Sequence, residues 1–285
     1  MATMPDETPP EQRPPDDMTA SHPTARHLRS AATPSQVADS STSPPRPDPR
    51  PISATFPAEA TLPHDVVSYG PDIPNERAYR LLGNPDGKRV LDLGCGGGQA
   101  AIALAKQGAK VITVDPSPER LERVRMVADR EEVKIETHEG DLADLAFVRA
   151  DTVDAAVSIY ALATVDDLDR VFRQVHRVLS PEMPLVISLP HPAFCMLDPS
   201  AQRPFELART YWDSSPRPWE TDQTTGFDHP RAISEVFTGL HRANFRVDTI
   251  LEPEPAADSV HSPYWSTTMA WVPATLVVRA RKEGI

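Results

Sequence analysis

At 285 residues with a formal net charge of −12, the chain has the length of one large domain, or of one domain with a tail. The acidic balance argues against a nucleic-acid backbone as a general partner, since such a partner needs a basic face. No apolar run is long enough to cross a bilayer, and the opening residues Met-Ala-Thr-Met-Pro-Asp-Glu have neither the basic nor the apolar stretch of a secretory signal, so neither membrane nor export is expected and the default location is cytoplasmic.

Residues 1–62 differ in composition from the rest. They carry a large share of the 32 prolines beside Ser, Thr, Ala and Asp, with Phe56 as their one aromatic residue. Such a segment buries too little apolar surface to offset chain ordering and reads as a disordered tail, with Pro44–Pro51 suited to polyproline II. Order is expected over residues 63–285, with a turn-rich stretch at 69–76 and a short helix over Ala78–Leu82.

Val90, Leu91 and Leu93 form a short buried strand, followed by four glycines (94, 96, 97 and 98) and a helix over 100–105. Lys110–Asp115 is apolar on both faces, as buried parallel strands are. Ser117-Pro118-Glu119 starts a helix, with Ser as N-cap, Pro at the first helical position and an acid in the first turn; Leu121, Val124 and Ala128 form its apolar stripe. Val133–Thr137 is a third strand and Val153–Tyr160 a fourth. Thr164 and Asp167 resemble a capping box before a helix that aligns Leu168, Val171, Phe172, Val175 and Val178 on one face. Leu185–Leu189 is a fifth strand. The irregular stretch 190–230 is too long for a plain connection and reads as a lid or substrate-binding insertion. A helix resumes with Ile233, Val236, Phe237 and Leu240 on one face. Strands follow at Arg246–Leu251 and Ala274–Arg279, and with no helix between them they pair antiparallel. The fold class is α/β, a Rossmann-like, doubly wound, mostly parallel sheet of seven strands ending in an antiparallel pair, with ligands bound beyond the carboxyl ends of the strands.

The glycine turn suits a nucleotide: glycine lets a ligand approach the main chain, and the helix N-terminus adds unpaired N–H groups. Asp115, about twenty residues past Gly94, sits where a ribose hydroxyl is expected. A dinucleotide fingerprint needs glycine at position 99, which is Gln99. The turn reads instead Asp92-x-Gly94-x-Gly96-x-Gly98, and a carboxylate at 92 suits a cationic sulfonium amino acid better than a pyrophosphate.

On these residues the chain resembles the class I S-adenosylmethionine-dependent methyltransferases, from about Lys88 to Leu189 and more loosely to the C-terminus. The resemblance implies that Asp92, Gly94, Gly96 and Gly98 lie along the methionine part of S-adenosyl-L-methionine. It further implies that Asp115 holds the ribose hydroxyls, and that Asp141 and the Leu142 backbone read the adenine. It is nearest the small-molecule methyltransferases. Arg177–Glu182 resembles their turn before the fifth strand, with Met183 and Pro184 in place of glycines. The Asn-Pro-Pro-Tyr tetrad of amino-methylating enzymes acting on nucleic acid or glutamine is absent, since its place reads Ser158-Ile159-Tyr160-Ala161. The resemblance implies methyl transfer to a small organic acceptor at oxygen, nitrogen or carbon. A non-catalytic cofactor-binding relative and an NAD(P)-dependent oxidoreductase are the alternatives.

A hydroxyl or carbon acceptor must lose a proton, and His191 and Tyr160, at the ends of the fifth and fourth strands, are the candidate acid–base residues. For His191 the competing role is a hydrogen-bonding turn residue; for Tyr160 it is a pocket wall. Tyr69 either closes over the cofactor or is a surface aromatic. Tyr211, Trp212, Trp219, Tyr264 and Trp265 either enclose the acceptor or form the core of the insertion. His229, His241 and His261 read as structural or exposed. Cys95 and Cys195 give no disulfide framework, and no residue grouping has metal spacing, so no metal is expected.

Overall fold

The computed structural model describes residues 64–197, 205–220 (backbone alone at 219 and 220), 225–256, 261–262 and 265–284. The expected tail, 1–62, lies outside the described residues.

In chain order the elements are α1 (Glu76–Tyr79), β1 (Arg89–Leu93), α2 (Gln99–Lys106), β2 (Lys110–Asp115), α3 (Pro118–Arg130), β3 (Ile135–Glu139) and β4 (Ala155–Ile159). A 3-10 turn at Ala161–Thr164 leads to α4 (Leu168–Val178), β5 (Pro184–Pro190), α5 (Pro192–Cys195), β6 (Arg217–Glu220), β7 (Thr225–Asp228), α6 (Ile233–Arg242), β8 (Phe245–Leu251) and β9 (Thr275–Lys282). Seven strands form one sheet in the order β3-β2-β1-β4-β5-β9-β8. The first five pair in parallel, and β9 runs antiparallel to both β5 and β8. The strand order reverses between β1 and β4, which opens a crevice at their carboxyl ends.

Alternation along the strands builds both layers of the core. Leu91, Ile112, Ala156 and Leu185 face one way, against Val171, Phe172 and Val175 of α4 and Leu240 of α6. Val90, Val111, Val157 and Val186 face the other way, against Ala100, Ala101 and Leu104 of α2. The three helices after β1, β2 and β4 therefore bury the stripes their sequences lay out, and helices on both faces explain why the parallel strands are apolar throughout.

Several boundaries differ from expectation. The cap of α4 is Asp167, whose carboxylate accepts the Arg170 N–H at 2.8 Å, whereas Thr164 closes the preceding 3-10 turn onto the Ala161 carbonyl. Strand β3 starts two residues late because Val133 is still engaged with the end of α3, its N–H donating to the Ala128 carbonyl. The stretch after β5 is not structureless: it contains α5 and the two-stranded β6–β7 hairpin.

Candidate active site

The turn between β1 and α2 is shaped by what it must avoid. Gly94 has φ 81°, and a Cβ there would overlap the methyl of Ala161, just past β4. Gly98, at φ 85°, is the N-cap of α2 and supplies no side chain to the cap. The left-handed backbone favours glycine at both positions, and at Gly94 the overlap with Ala161 leaves no room for a side chain. The Ser158 hydroxyl donates to the Leu93 carbonyl at 2.7 Å and ties the ends of β4 and β1 together beneath the turn.

Asp115 ends β2 and is fully buried. Its carboxylate accepts the Cys95 N–H from the turn at 3.0 Å and the Ser117 N–H at 2.8 Å, with Arg120 at 3.7 Å. Asp92 is also buried and accepts the Thr113 hydroxyl at 2.9 Å. Burial pushes the Asp92 carboxyl up to about 7; the Thr113 bond opposes this and the Asp115 charge adds to it. Two acids on adjacent strands thus share one negative field next to a turn that offers backbone. Asp141 lies in the loop after β3, exposed, and its carboxylate folds back on the Ala143 N–H at 2.8 Å. Leu142 is buried; its side chain lies 3.6 Å from where a Gly94 Cβ would be. Burial also pushes up the Cys95 thiol, whose neighbours are the Asp115 and Asp92 carboxylates. Asp92, Gly94, Gly96, Gly98, Asp115, Asp141 and Leu142 therefore gather at the carboxyl ends of β1, β2 and β3.

The two candidate acid–base residues have their polar atoms engaged. The Nδ1 of His191 accepts the Ala193 N–H at 3.1 Å, which places the ring proton on Nε2, and Nε2 donates to Glu252 at 2.8 Å. His191 is the N-cap of α5 and is buried, which lowers its basicity. This geometry is that of the hydrogen-bonding turn histidine. Tyr160 takes a left-handed φ of 59°, a strained conformation for a side chain of this size. Its hydroxyl is buried and bonded to Thr275, and burial raises its pKa well above the ordinary phenol value. Tyr160 is buried directly after β4.

Tyr69 is not a surface aromatic: it is buried in the α2-side core, and its hydroxyl donates to Glu76 at 2.6 Å. The late aromatics do not form one cluster among the described residues. Tyr211 meets Trp212 edge to face at 5.1 Å, with Trp212 84% exposed, while Trp265 stacks on His261. The Trp219 side chain and Tyr264 lie outside the described residues.

Beyond β5 a cleft of about 640 Å³ lies among Asp169, Met196, Tyr211, Trp212 and Arg242. A cavity of about 10 Å³ sits at the end of β5, against Ala163, Leu189, Arg217 and Asp228, and shares Cys195, Pro230 and Arg231 with the cleft. Among the described residues no group of three or more His, Cys, Asp or Glu side chains could hold a metal ion, and no helix is long and apolar enough to cross a membrane.

Sequence reasoning does not reach Thr113, Glu252 and Thr275, nor the tie of Gln99 to Val66 and Ser68. Thr113 was visible as the one polar residue inside the apolar run of β2. The others depend on partners distant in sequence.

Comparison with known proteins adds to this geometry. Residues 90–182 match the model of a methyltransferase domain family. A ubiquinone biosynthesis O-methyltransferase of Xanthomonas axonopodis is 33% identical over 104 residues, which is 36% of this chain and 44% of the relative. The chain thus spans less than half the length of the curated relatives it matches first. A solved S-adenosylmethionine-dependent methyltransferase of Mesorhizobium loti has a TM-score of 0.60 at 28% identity, covering 72% of this chain and 96% of its own. A solved structure from Listeria monocytogenes has a TM-score of 0.61 at 22% identity, covering 73% and 96%, and shares the fold.

Proposed function

We propose, on the premise that this chain belongs to the class I S-adenosylmethionine-dependent methyltransferases, that it transfers a methyl group from S-adenosyl-L-methionine to a small organic acceptor. The observation that carries this reading is the pairing of two buried strand-end carboxylates, Asp92 and Asp115, with a left-handed glycine turn whose tight approach to Ala161 leaves backbone facing the crevice.

The cofactor, when bound, supplies a methyl group on a sulfonium, already activated for displacement. The chain has to bind it, aim it and keep water away. In this reading Asp92 ionises beside the cationic amino-acid part, with Gly94, Gly96 and Gly98 giving that part room. Asp115, already oriented by the Cys95 and Ser117 N–H groups, takes the ribose hydroxyls. Asp141 and the Leu142 backbone take the adenine edge. Gln99 fills the position where a dinucleotide fold needs glycine, and its carboxamide is committed to backbone partners, which favours this cofactor over a nicotinamide one.

Methyl transfer in this reading relies on alignment rather than on a dedicated base, and a hydroxyl acceptor releases its proton to solvent. Neither ring nitrogen of His191 has a free lone pair, and the Tyr160 hydroxyl is held by Thr275. The cleft beyond β5, which shares Cys195, Pro230 and Arg231 with the small cavity at the end of that strand, is the candidate route for an acceptor. The small-molecule character follows the acidic net charge and the missing nucleic-acid tetrad, and the O-methyltransferase relative makes hydroxyl acceptors the first to test. The test incubates the chain with methyl-labelled S-adenosylmethionine and panels of phenols, amines and carbon acids. Label transferred to a small acceptor supports the proposal; cofactor binding without transfer to any class points to a non-catalytic relative.

A further inference from the structure

Gln99, the first residue of α2, is buried with both ends of its carboxamide bonded to a segment more than thirty residues upstream. Its Nε2 donates to the Val66 carbonyl, and its Oε1 accepts the Ser68 N–H at 3.2 Å. From there the chain runs through Tyr69, whose hydroxyl is fixed by Glu76, to Gly70. A Cβ at Gly70 would lie 2.8 Å from both the Tyr160 hydroxyl and the Thr275 hydroxyl. Glu76 locks the far end of the segment: its N–H donates to the Val67 carbonyl, and its carboxylate accepts the Leu81 and Leu82 N–H groups at 2.9 and 2.8 Å.

The landmarks along this path share one edge of the sheet. Gln99 follows the turn after β1, Tyr160 follows β4, and Thr275 opens β9 opposite Pro190, the last residue of β5. Residues 66–70 therefore bridge the crevice at the strand-order reversal, from its β1 wall to its β4 wall. The bridge is tight at both ends: a buried carboxamide on one side, and on the other a residue with no side chain against a bonded hydroxyl pair.

We propose that Gln99 is a positioning residue that pins Val66–Gly70 as the roof of the cofactor crevice, with the Gly70–Tyr160–Thr275 contact as its second anchor. The inference rests on the cofactor reading above. A glycine at 99 would admit a pyrophosphate; the glutamine instead uses the α2 N-terminus to hold a piece of the chain over the ligand. With the roof held, the cofactor leaves slowly and water is kept from the sulfonium. With the pin removed the fold persists, because Val67 and Tyr69 remain packed in the core.

The test compares the full chain with Gln99→Met, which keeps the volume and loses both hydrogen bonds, and Gln99→Glu, which loses the donor to Val66. Amide exchange of residues 66–70 and dissociation of S-adenosylhomocysteine are measured on each, with the ligand-free melting temperature as the structural control. In Gln99→Met, exchange and ligand dissociation should both rise by about tenfold, the scale of two lost hydrogen bonds, and the melting temperature should fall by no more than about 3–6 °C. In the parent chain, the ligand should slow exchange of 66–70. Faster exchange with unchanged ligand dissociation overturns the inference, as does a melting loss that alone accounts for both effects. Asp115→Ala separates the two readings: it should weaken ligand binding while leaving ligand-free exchange of 66–70 as it is. A parent chain that binds no cofactor overturns the functional reading and the roof together, whereas a chain that binds it indifferently to Gln99 overturns the roof alone.

Discussion

The β1–β3 half of the crevice and the segment after β5 are built in opposite ways. Around the glycine turn the polar groups are held by near neighbours and by adjacent strands: Asp115 by Cys95 and Ser117, Asp92 by Thr113, Asp141 by Ala143. After β5 the ties reach further along the chain. His191 bonds Glu252, the His229 N–H donates to the Ala163 carbonyl, and Arg231 donates to the carbonyls of Val165 and Asp166. The first region is held by bonds within a turn or between adjacent strands. The second is a patch held on by distant contacts and carrying exposed aromatics such as Trp212 and Phe205. Such an arrangement suits a fixed cofactor site beside an adaptable acceptor site.

The largest effect that would break this contrast falls on the turn. Gly94→Ala should destabilise the fold by about 3–5 kcal/mol, since it adds a left-handed strain to an overlap with Ala161; urea unfolding measures it, and a loss under about 1 kcal/mol would mean the turn is not rigid. Next is Asp92. Its folded carboxyl titrates at about 7, against about 3.9 when unfolded. Between these values the folded chain keeps a proton that the unfolded chain has released. The Asp92 contribution to ligand-free stability should therefore fall as pH rises from about 4 to about 7, by about 2–4 kcal/mol, and stay level above, read as the difference between the parent and Asp92→Asn profiles. Cofactor affinity should rise over the same window, because a cationic ligand favours the ionised acid. The smallest effect belongs to the region after β5. His191→Ala removes the cap of α5 and should cost about 1 kcal/mol while methyl transfer continues; loss of transfer in a folded, cofactor-binding variant would restore His191 as a base.

The legibility of the sequence follows the same division. Strands β1, β2, β4 and β5 and helices α2–α4 were readable because period and caps act within a few residues: Ser117 with Pro118, and the stripe Leu168–Val178. The antiparallel pair was readable from the missing crossover. Thr164 and Asp167, three residues apart, both satisfy the capping pattern, and only the 3-10 turn decides that Asp167 serves. The acids at 92, 115 and 141 were legible as a set because three successive strands bring them to one edge. The fate of Tyr69 and the pairing of His191 with Glu252 were not, since each depends on a partner chosen by tertiary packing. The β6–β7 hairpin escaped because Pro218 reads against a strand, although a two-stranded ribbon leaves edge positions free for proline.

In the proposed function the strand-end acids form a receptor for S-adenosylmethionine. Calorimetric titration of the cofactor into the full chain and into Asp115→Ala tests it most directly. One site per chain is expected in the parent, with affinity weakened by about a hundredfold in the variant, the scale of two charge-assisted hydrogen bonds. Equal affinity in the two proteins, or no heat of binding in the parent, would contradict it.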